Sequence, residues 1–207
     1  MSRKLPKENI IAFIITLSIL IIPALGFSSK TIKTTQHTIV IDAGHGGNQN
    51  GIISSNGLTE KKITLKLAMK TAQRLESRYN VVLTRKKDVE ISSHERIFIA
   101  NKNHADLVLS IHLHQSNQTF GFFYYFDSPE QEKYSDITTP NTWKSKPLMH
   151  QDKSKKVALS FFKIFSTLKK ETRFFSEGAP IILLEGTTMP AILIEPFSIS
   201  ILPQHPD

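Results

Sequence analysis

His45, Glu60, His112 and Glu195 are the residues of this 207-residue sequence whose types and settings could do chemistry together. His45 sits in Thr38–Gly47, TIVIDAGHGG, where a β-branched apolar run of the kind buried in sheets breaks into a glycine-rich turn. The turn delivers the imidazole to the carboxyl end of a strand, where open α/β sheets place their sites. It lacks the GxGxxG and GxxxxGK[ST] spacings, so a metal ligand or acid–base group is a better reading than a phosphate loop. His112 closes a second buried-type strand, Ala105–His112, ADLVLSIH. Between them Glu60 opens a helical pattern with apolar residues at 63, 65, 67, 68, 72 and 75. Alone, Glu60 would be an ordinary carboxylate at a helix N-terminus. Two strands ending in histidine with a glutamate between them indicate a site instead.

A His/Glu/His set leaves a fourth tetrahedral position for water, the arrangement of a catalytic zinc site rather than a structural one. Zinc lowers the pKa of water towards neutrality and polarises the carbonyl under attack. Such hydrolysis also needs a base that passes the water proton to the leaving group. Glu195 is the candidate, because it ends a third apolar strand, Pro190–Glu195, PAILIE. Glu185 ranks below it, since Gly186-Thr187-Thr188 follows in an expected loop, and Glu177 beside Gly178 reads as a solvated loop charge.

The elements that must position these groups alternate. Strands are expected at 38–42, 80–85, 106–112, 120–126, 181–184 and 190–195, and helices at 60–78, 92–103 and 154–169. Strand–helix–strand alternation predicts a single α/β domain: a mostly parallel, twisted sheet of about six strands with helices on both faces. The proline-containing, charged stretch 127–156 reads as a long loop, in which Tyr134 and Trp143 either stack on substrate or anchor packing.

Ahead of that domain, Arg3, Lys4 and Lys7 precede an uncharged apolar stretch from Ile10 to Phe27. Residues 1–27 are expected to be a signal peptide or an N-terminal membrane anchor, 28–37 a linker and 38–207 the catalytic domain. The rest of the chain would then lie outside the cytoplasmic membrane. The absence of cysteine excludes disulfides and thiol catalysis. Of the formal net charge of +8, residues 1–26 carry +2 (Arg3, Lys4 and Lys7 less Glu8), and the remaining 8 − 2 = 6 positive charges would draw the protein to anionic wall polymers or phospholipid headgroups. Nucleic acid is not an expected partner, since no helix-turn-helix or zinc-finger spacing is present.

The order of these motifs resembles a known family. IVIDAGHGG (39–47), Gly57-Leu58-Thr59-Glu60-Lys61, Val82-Leu83-Thr84-Arg85, Glu95–Asn101 (ERIFIAN), Ser110-Ile111-His112 and Ile194-Glu195-Pro196-Phe197 together resemble the zinc-dependent N-acetylmuramoyl-L-alanine amidases of the amidase-3 type. By that resemblance His45, Glu60 and His112 correspond to the ligands of one Zn2+ ion, and Glu195 to the catalytic glutamate. The implied reaction is hydrolysis of the amide joining N-acetylmuramic acid to L-alanine in peptidoglycan, in the periplasm or the cell wall. Peptidoglycan and an activator protein are the implied partners. A non-hydrolytic or decayed amidase-like peptidoglycan-binding or regulatory protein is the alternative, and a zinc peptidase would use the same chemistry.

The chain departs from the family's pattern at three places. Leu113-His114 stands where a small residue and asparagine are usual. Were the strand to persist, His114 would share a face with His112 and act as a substrate contact or a competing ligand. The preferred expectation is a strand-end histidine facing solvent, with His114→Asn retaining activity. Pro196-Phe197-Ser198 replaces a Gly-Phe element, and prolines at 196, 203 and 206 argue that the family's last helix is missing, leaving apolar surface to be exposed or covered by a partner. Arg96 beside Glu95 suggests a local ion pair, and Arg85 ends a strand near the site edge.

Overall fold

The computed structural model describes residues 36–127 and 146–203. The elements run β1 (Thr38–Ala43), α1 (Glu60–Leu75), β2 (Asn80–Leu83), α2 (Ser93–Lys102), β3 (Leu107–Ile111), β4 (Phe120–Phe126), α3 (Lys146–Leu168), β5 (Arg173–Ala179), α4 (Ile182–Gly186) and β6 (Ala191–Glu195), followed by a 3-10 turn at Ile199–Ile201. The strands form one sheet in the order β2-β1-β3-β6-β4-β5. Every neighbouring pair is parallel except β4 with β6, so β4 and β5 run against the rest.

Burial on both faces explains why the central strands read as continuous apolar runs. Alternate residues serve opposite cores. Ile39, Ile41, Leu109, Ile111, Ile192 and Ile194 meet Ile63, Leu67 and Leu75 of α1 and Phe161 and Phe165 of α3. Val40, Val108, Ala191 and Leu193 meet Ala100 of α2 and Leu184 of α4. The expected α/β architecture, helices on both faces included, is the observed one.

Two assignments change. Residues 181–184 are not a strand, because Ile182–Gly186 forms α4, with Leu183 and Leu184 buried. A four-residue apolar run carries no periodicity that separates a buried strand from a buried helical turn. The strand that takes its place is β5, whose sequence RFFSEGA buries only Phe174. An edge strand with one inward residue leaves no alternation to read, and Glu177 consequently lies in β5 rather than in a loop. Helix α3 begins at Lys146, well before 154, so residues 146–156 of the stretch expected to be a loop are helical. Pro147 falls in the first turn of α3, where a missing N–H breaks no helical bond.

After β6 the backbone makes only the 3-10 turn before residue 203. Phe197, Ile199 and Leu202 turn into the core on the α1 side, so the tail buries apolar surface itself. Among the described residues, no helix is long and apolar enough to cross a membrane. The expected leader at 1–27, nearly all of the 28–37 linker, Tyr134 and Trp143 lie outside the described residues.

Candidate metal centre

The loop after β1 holds His45 at φ 59°, followed by Gly46 at 138° and Gly47 at 56°. A side chain in the left-handed region is strained, so neighbouring structure must hold it there. Two guanidinium groups do so. Arg85 donates to the carbonyls of Ala43 and Gly44, each at 2.9 Å. Arg96 donates to the carbonyls of Ala43 (2.7 Å) and His45 (2.9 Å). Thr64 of α1 adds a hydroxyl bond to the Gly44 carbonyl at 2.7 Å.

Asp42 anchors this cage from below. It is fully buried and accepts hydrogen bonds from Arg96, from Thr84 Oγ1 (2.6 Å) and from Ser110 Oγ (2.7 Å). Burial pushes its carboxyl pKa up, but Arg96 and the two hydroxyl bonds outweigh that and hold it below the usual range. The ion pair expected between Arg96 and Glu95 is therefore corrected: Arg96 pairs with Asp42, and Glu95 closes a capping box with Ser92. Arg85 likewise lies beneath the loop rather than at the site edge.

Asp42→Ala strands the Arg96 charge and is expected to destabilise the metal-free protein by about 3–5 kcal/mol at neutral pH. Because the folded-state pKa is depressed, Asp42 contributes stability above its unfolded pKa and loses it as the pH falls through the folded value. Urea unfolding should thus show the gap between parent and variant narrowing below about pH 4.

Glu60 is the hub of the His45–Glu60–His112 cluster, with only 2% of its surface exposed. Its own N–H donates to the Ile52 carbonyl at 2.8 Å, which folds the 51–60 loop back onto the start of α1. One carboxylate oxygen, Oε2, accepts the Ile52 N–H at 3.0 Å and lies 3.1 Å from His45 Nε2. The other, Oε1, accepts the Leu113 N–H at 3.0 Å and lies 3.0 Å from His112 Nδ1. Burial opposes ionisation of Glu60, but the contacts to His112, His45 and the Ile52 N–H hold its pKa far below the ordinary range. The two imidazoles stand edge to face, their centres 4.9 Å apart. One ligand atom from each of His45, Glu60 and His112 lies within 4.8 Å of the others.

Space is kept for this cluster by glycine. A Cβ on Gly51 (φ +63°) would come within 2.5 Å of Glu60 Oε2 and 2.6 Å of the His45 ring. A Cβ on Gly44 would meet the His112 ring at 2.5–2.7 Å. The donor types, their convergence and this cradle fit a divalent metal ion. Gly44→Ala should displace the His112 ring and weaken metal binding by about tenfold or more, measured by competition with a chromogenic chelator.

Glu195 closes β6 beside this cluster, because Ile194 pairs with Ile111 and the His112 N–H donates to the Ile194 carbonyl at 2.9 Å. Burial raises its pKa, His112 partly offsets that, and the Glu60 charge raises it further. His114 does not face solvent, contrary to expectation. Its side chain is 12% exposed, its Nδ1 lies 3.9 Å from Glu195 Oε2, and its ring meets Phe122 of β4 edge-on at 5.2 Å. It burrows inward because the chain beyond β3 still runs alongside the segment after β6, with an isolated bridge to Ser198 and the Ile199 N–H bonding the His114 carbonyl at 2.9 Å. Burial lowers its pKa. It is not a member of the cluster of His45, Glu60 and His112 that could hold a metal ion. Glu185 lies apart from these residues, in a cavity between α2 and α4 lined by His94, Asn101 and Thr188.

Residues 39–201 match the Amidase_3 family, described as N-acetylmuramoyl-L-alanine amidase. The chain belongs to this family. It is 34% identical over 160 residues to the N-acetylmuramoyl-L-alanine amidase CwlM of Bacillus licheniformis, a match covering 76% of this chain and 54% of that one. It is 32% identical over 163 residues to the endolysin of Bacillus phage SPP1, covering 75% and 52%. The chain thus spans about half the length of these two curated relatives. Among solved structures it resembles the N-acetylmuramoyl-L-alanine amidase of Clostridium difficile 630, with a TM-score of 0.61 and 29% identity over 77% of this chain and 78% of that one. The catalytic domain of CwlV from Bacillus (Paenibacillus) polymyxa var. colistinus gives a TM-score of 0.58 at 25% identity, covering 77% and 79%.

Within this amidase-3 chain, sequence reasoning missed the cage of Asp42, Arg85, Arg96, Thr64 and Ser110. A signal was present: Asp42 and Ser110 interrupt strands that are otherwise apolar, and a buried polar group of that kind must find partners.

Proposed function

We propose that the chain is an exported, zinc-dependent amidase that hydrolyses the amide between N-acetylmuramic acid and L-alanine in peptidoglycan. The observation that carries this reading is the convergence of His45, Glu60 and His112, with Glu195 on the adjoining strand. Membership of the amidase-3 family supplies the substrate class.

His45, Glu60 and His112 would hold one zinc ion, which when bound polarises the amide carbonyl and acidifies water. Glu60, buried and held ionised, contributes the negative charge that a cation needs there. The Arg85–Arg96–Asp42 cage keeps His45 in its strained conformation, so the ligands need not reorganise. Glu195 takes a proton from the attacking water through a carboxylate oxygen and passes it to the alanine nitrogen as the C–N bond breaks. A C–O bond forms on the lactyl carbonyl, leaving a carboxylic acid and a peptide with a free amine. A raised proton affinity suits a group that must both accept and return a proton.

The apolar segment 10–27 behind basic residues supports export to the periplasm or wall, and the net positive charge beyond residue 26 supports attraction to anionic wall polymers. An activator protein would be a further partner.

The full chain incubated with purified peptidoglycan and zinc should release peptides bearing a new amino-terminal L-alanine. A chelator should stop the release and added zinc restore it. Release of peptides cut elsewhere, or release insensitive to chelation, would contradict the reading.

A further inference from the structure

The two ring nitrogens of His114 are buried without satisfying their own chemistry. A neutral imidazole carries one N–H donor and one acceptor nitrogen, yet neither ring nitrogen of His114 is solvent-accessible or hydrogen-bonded. Buried polar groups left this way are uncommon, and each calls for an explanation. The ring has little freedom to escape. Its backbone is fixed by the Ile199 N–H and by the bridge to Ser198, and Phe122 stands perpendicular to it. The carboxylate at hand is Glu195, whose Oε2 lies 3.9 Å from His114 Nδ1. That is too long for a hydrogen bond, and shortening it by about 1 Å gives a charge-assisted N–H to carboxylate bond.

Glu195 has a matching need. A proton-transferring carboxylate works only while its orientation is fixed, and no donor among the described residues bonds it. We propose that His114 is the positioning residue for Glu195: its Nδ1–H donates to Oε2, leaving the other carboxylate oxygen to handle the proton. The short run beyond β3 then serves both halves of the site, with His112 set against Glu60 and His114 against Glu195. A role as fourth metal ligand is disfavoured, because His114 stands outside the group of converging ligand atoms. The proposal rests on the amidase reading of Glu195, and its test includes a readout that needs no turnover.

Two variants of the full chain separate the donor from the bulk. His114→Phe keeps a ring against Phe122 and removes the N–H. His114→Asn places an amide N–H near the position of Nδ1. With a soluble muramoyl peptide, His114→Phe should lower kcat about 10- to 100-fold, with KM little changed and metal content equal to the parent. His114→Asn should rescue kcat to within about threefold. In the 15N-histidine-labelled parent, the His114 Nδ1–H proton should be observable, and it should move in Glu195→Gln.

A folded, metal-loaded His114→Phe with the parent's kcat would overturn the proposal, and so would loss of metal in that variant. If the parent itself releases no peptide, the amidase reading fails. The Nδ1–H signal then decides the contact alone, and a signal indifferent to Glu195→Gln overturns it. Should His114→Phe not fold, the same signal and the His114→Asn rescue carry the test.

Discussion

Glu60→Gln is expected to strip the protein of its metal and lower its melting temperature together. The carboxylate accepts from two backbone amides, Ile52 N–H on one oxygen and Leu113 N–H on the other, while facing His45 and His112. Glutamine is nearly isosteric but presents an NH2 where one of those amides also donates. The orphaned amide costs about 1–3 kcal/mol in a site this dry. Loss of the anionic ligand should weaken metal binding by more than about 100-fold, beyond the effect of removing an outer-shell partner. Linkage gives a second signature. Glu60 is depressed far below its unfolded pKa, so its stabilisation is present above that unfolded value and lost as the solution is acidified. Calorimetry of the metal-free proteins should show the parent losing its advantage in acid, while a parent and variant with equal melting temperatures at pH 7 would sink the account of Glu60 as hub.

Glu195→Gln should do the reverse. Hydrolysis is expected to fall about 100- to 10,000-fold, the usual worth of a positioned acid–base group. Metal binding should persist, because Glu195 is outside the cluster of His45, Glu60 and His112 that could hold the ion. Stability should rise. The Glu195 pKa is raised by burial, so its contribution to folding is full below the unfolded pKa and lost as the pH climbs through the folded one. At neutral pH an ionised, desolvated carboxylate beside Glu60 is a liability in the metal-free protein, and glutamine removes that charge. A higher melting temperature with lost turnover is the pattern of a group retained for chemistry rather than for the fold. A variant that loses metal and turnover together would show Glu195 to be a ligand.

The parts of this molecule that were legible share one physical origin. His45 and His112 follow just after the apolar strands β1 and β3, Glu195 closes the apolar strand β6 and Glu60 opens the helical pattern of α1, so a polar residue at each place stands out against its background. β1, β3 and β6 are buried on both faces and could be read without knowing their neighbours. β5 could not, because an edge strand with one inward residue has no pattern, and α4 could not, because Ile181–Leu184 is too short to show a period. His114 illustrates a different limit. Its burial depends on Phe122 of β4 and above all on the Ser198–Ile199 segment, which is remote in sequence and meets it only because β6 lies beside β3 in the sheet. Arg96 was misassigned for the same reason: Glu95 is its neighbour in sequence, but Asp42 is its neighbour in space.

The most direct test is digestion of a defined muramoyl peptide by the zinc-loaded full chain in 18O-water, read by mass spectrometry. The account predicts two products. One is a muramic acid whose lactyl carboxylate has gained one 18O atom, and the other is a peptide with an unlabelled, free L-alanine amino terminus. Label in a peptide carboxylate, with the muramoyl–alanine bond intact, would make this chain a peptidase and contradict it.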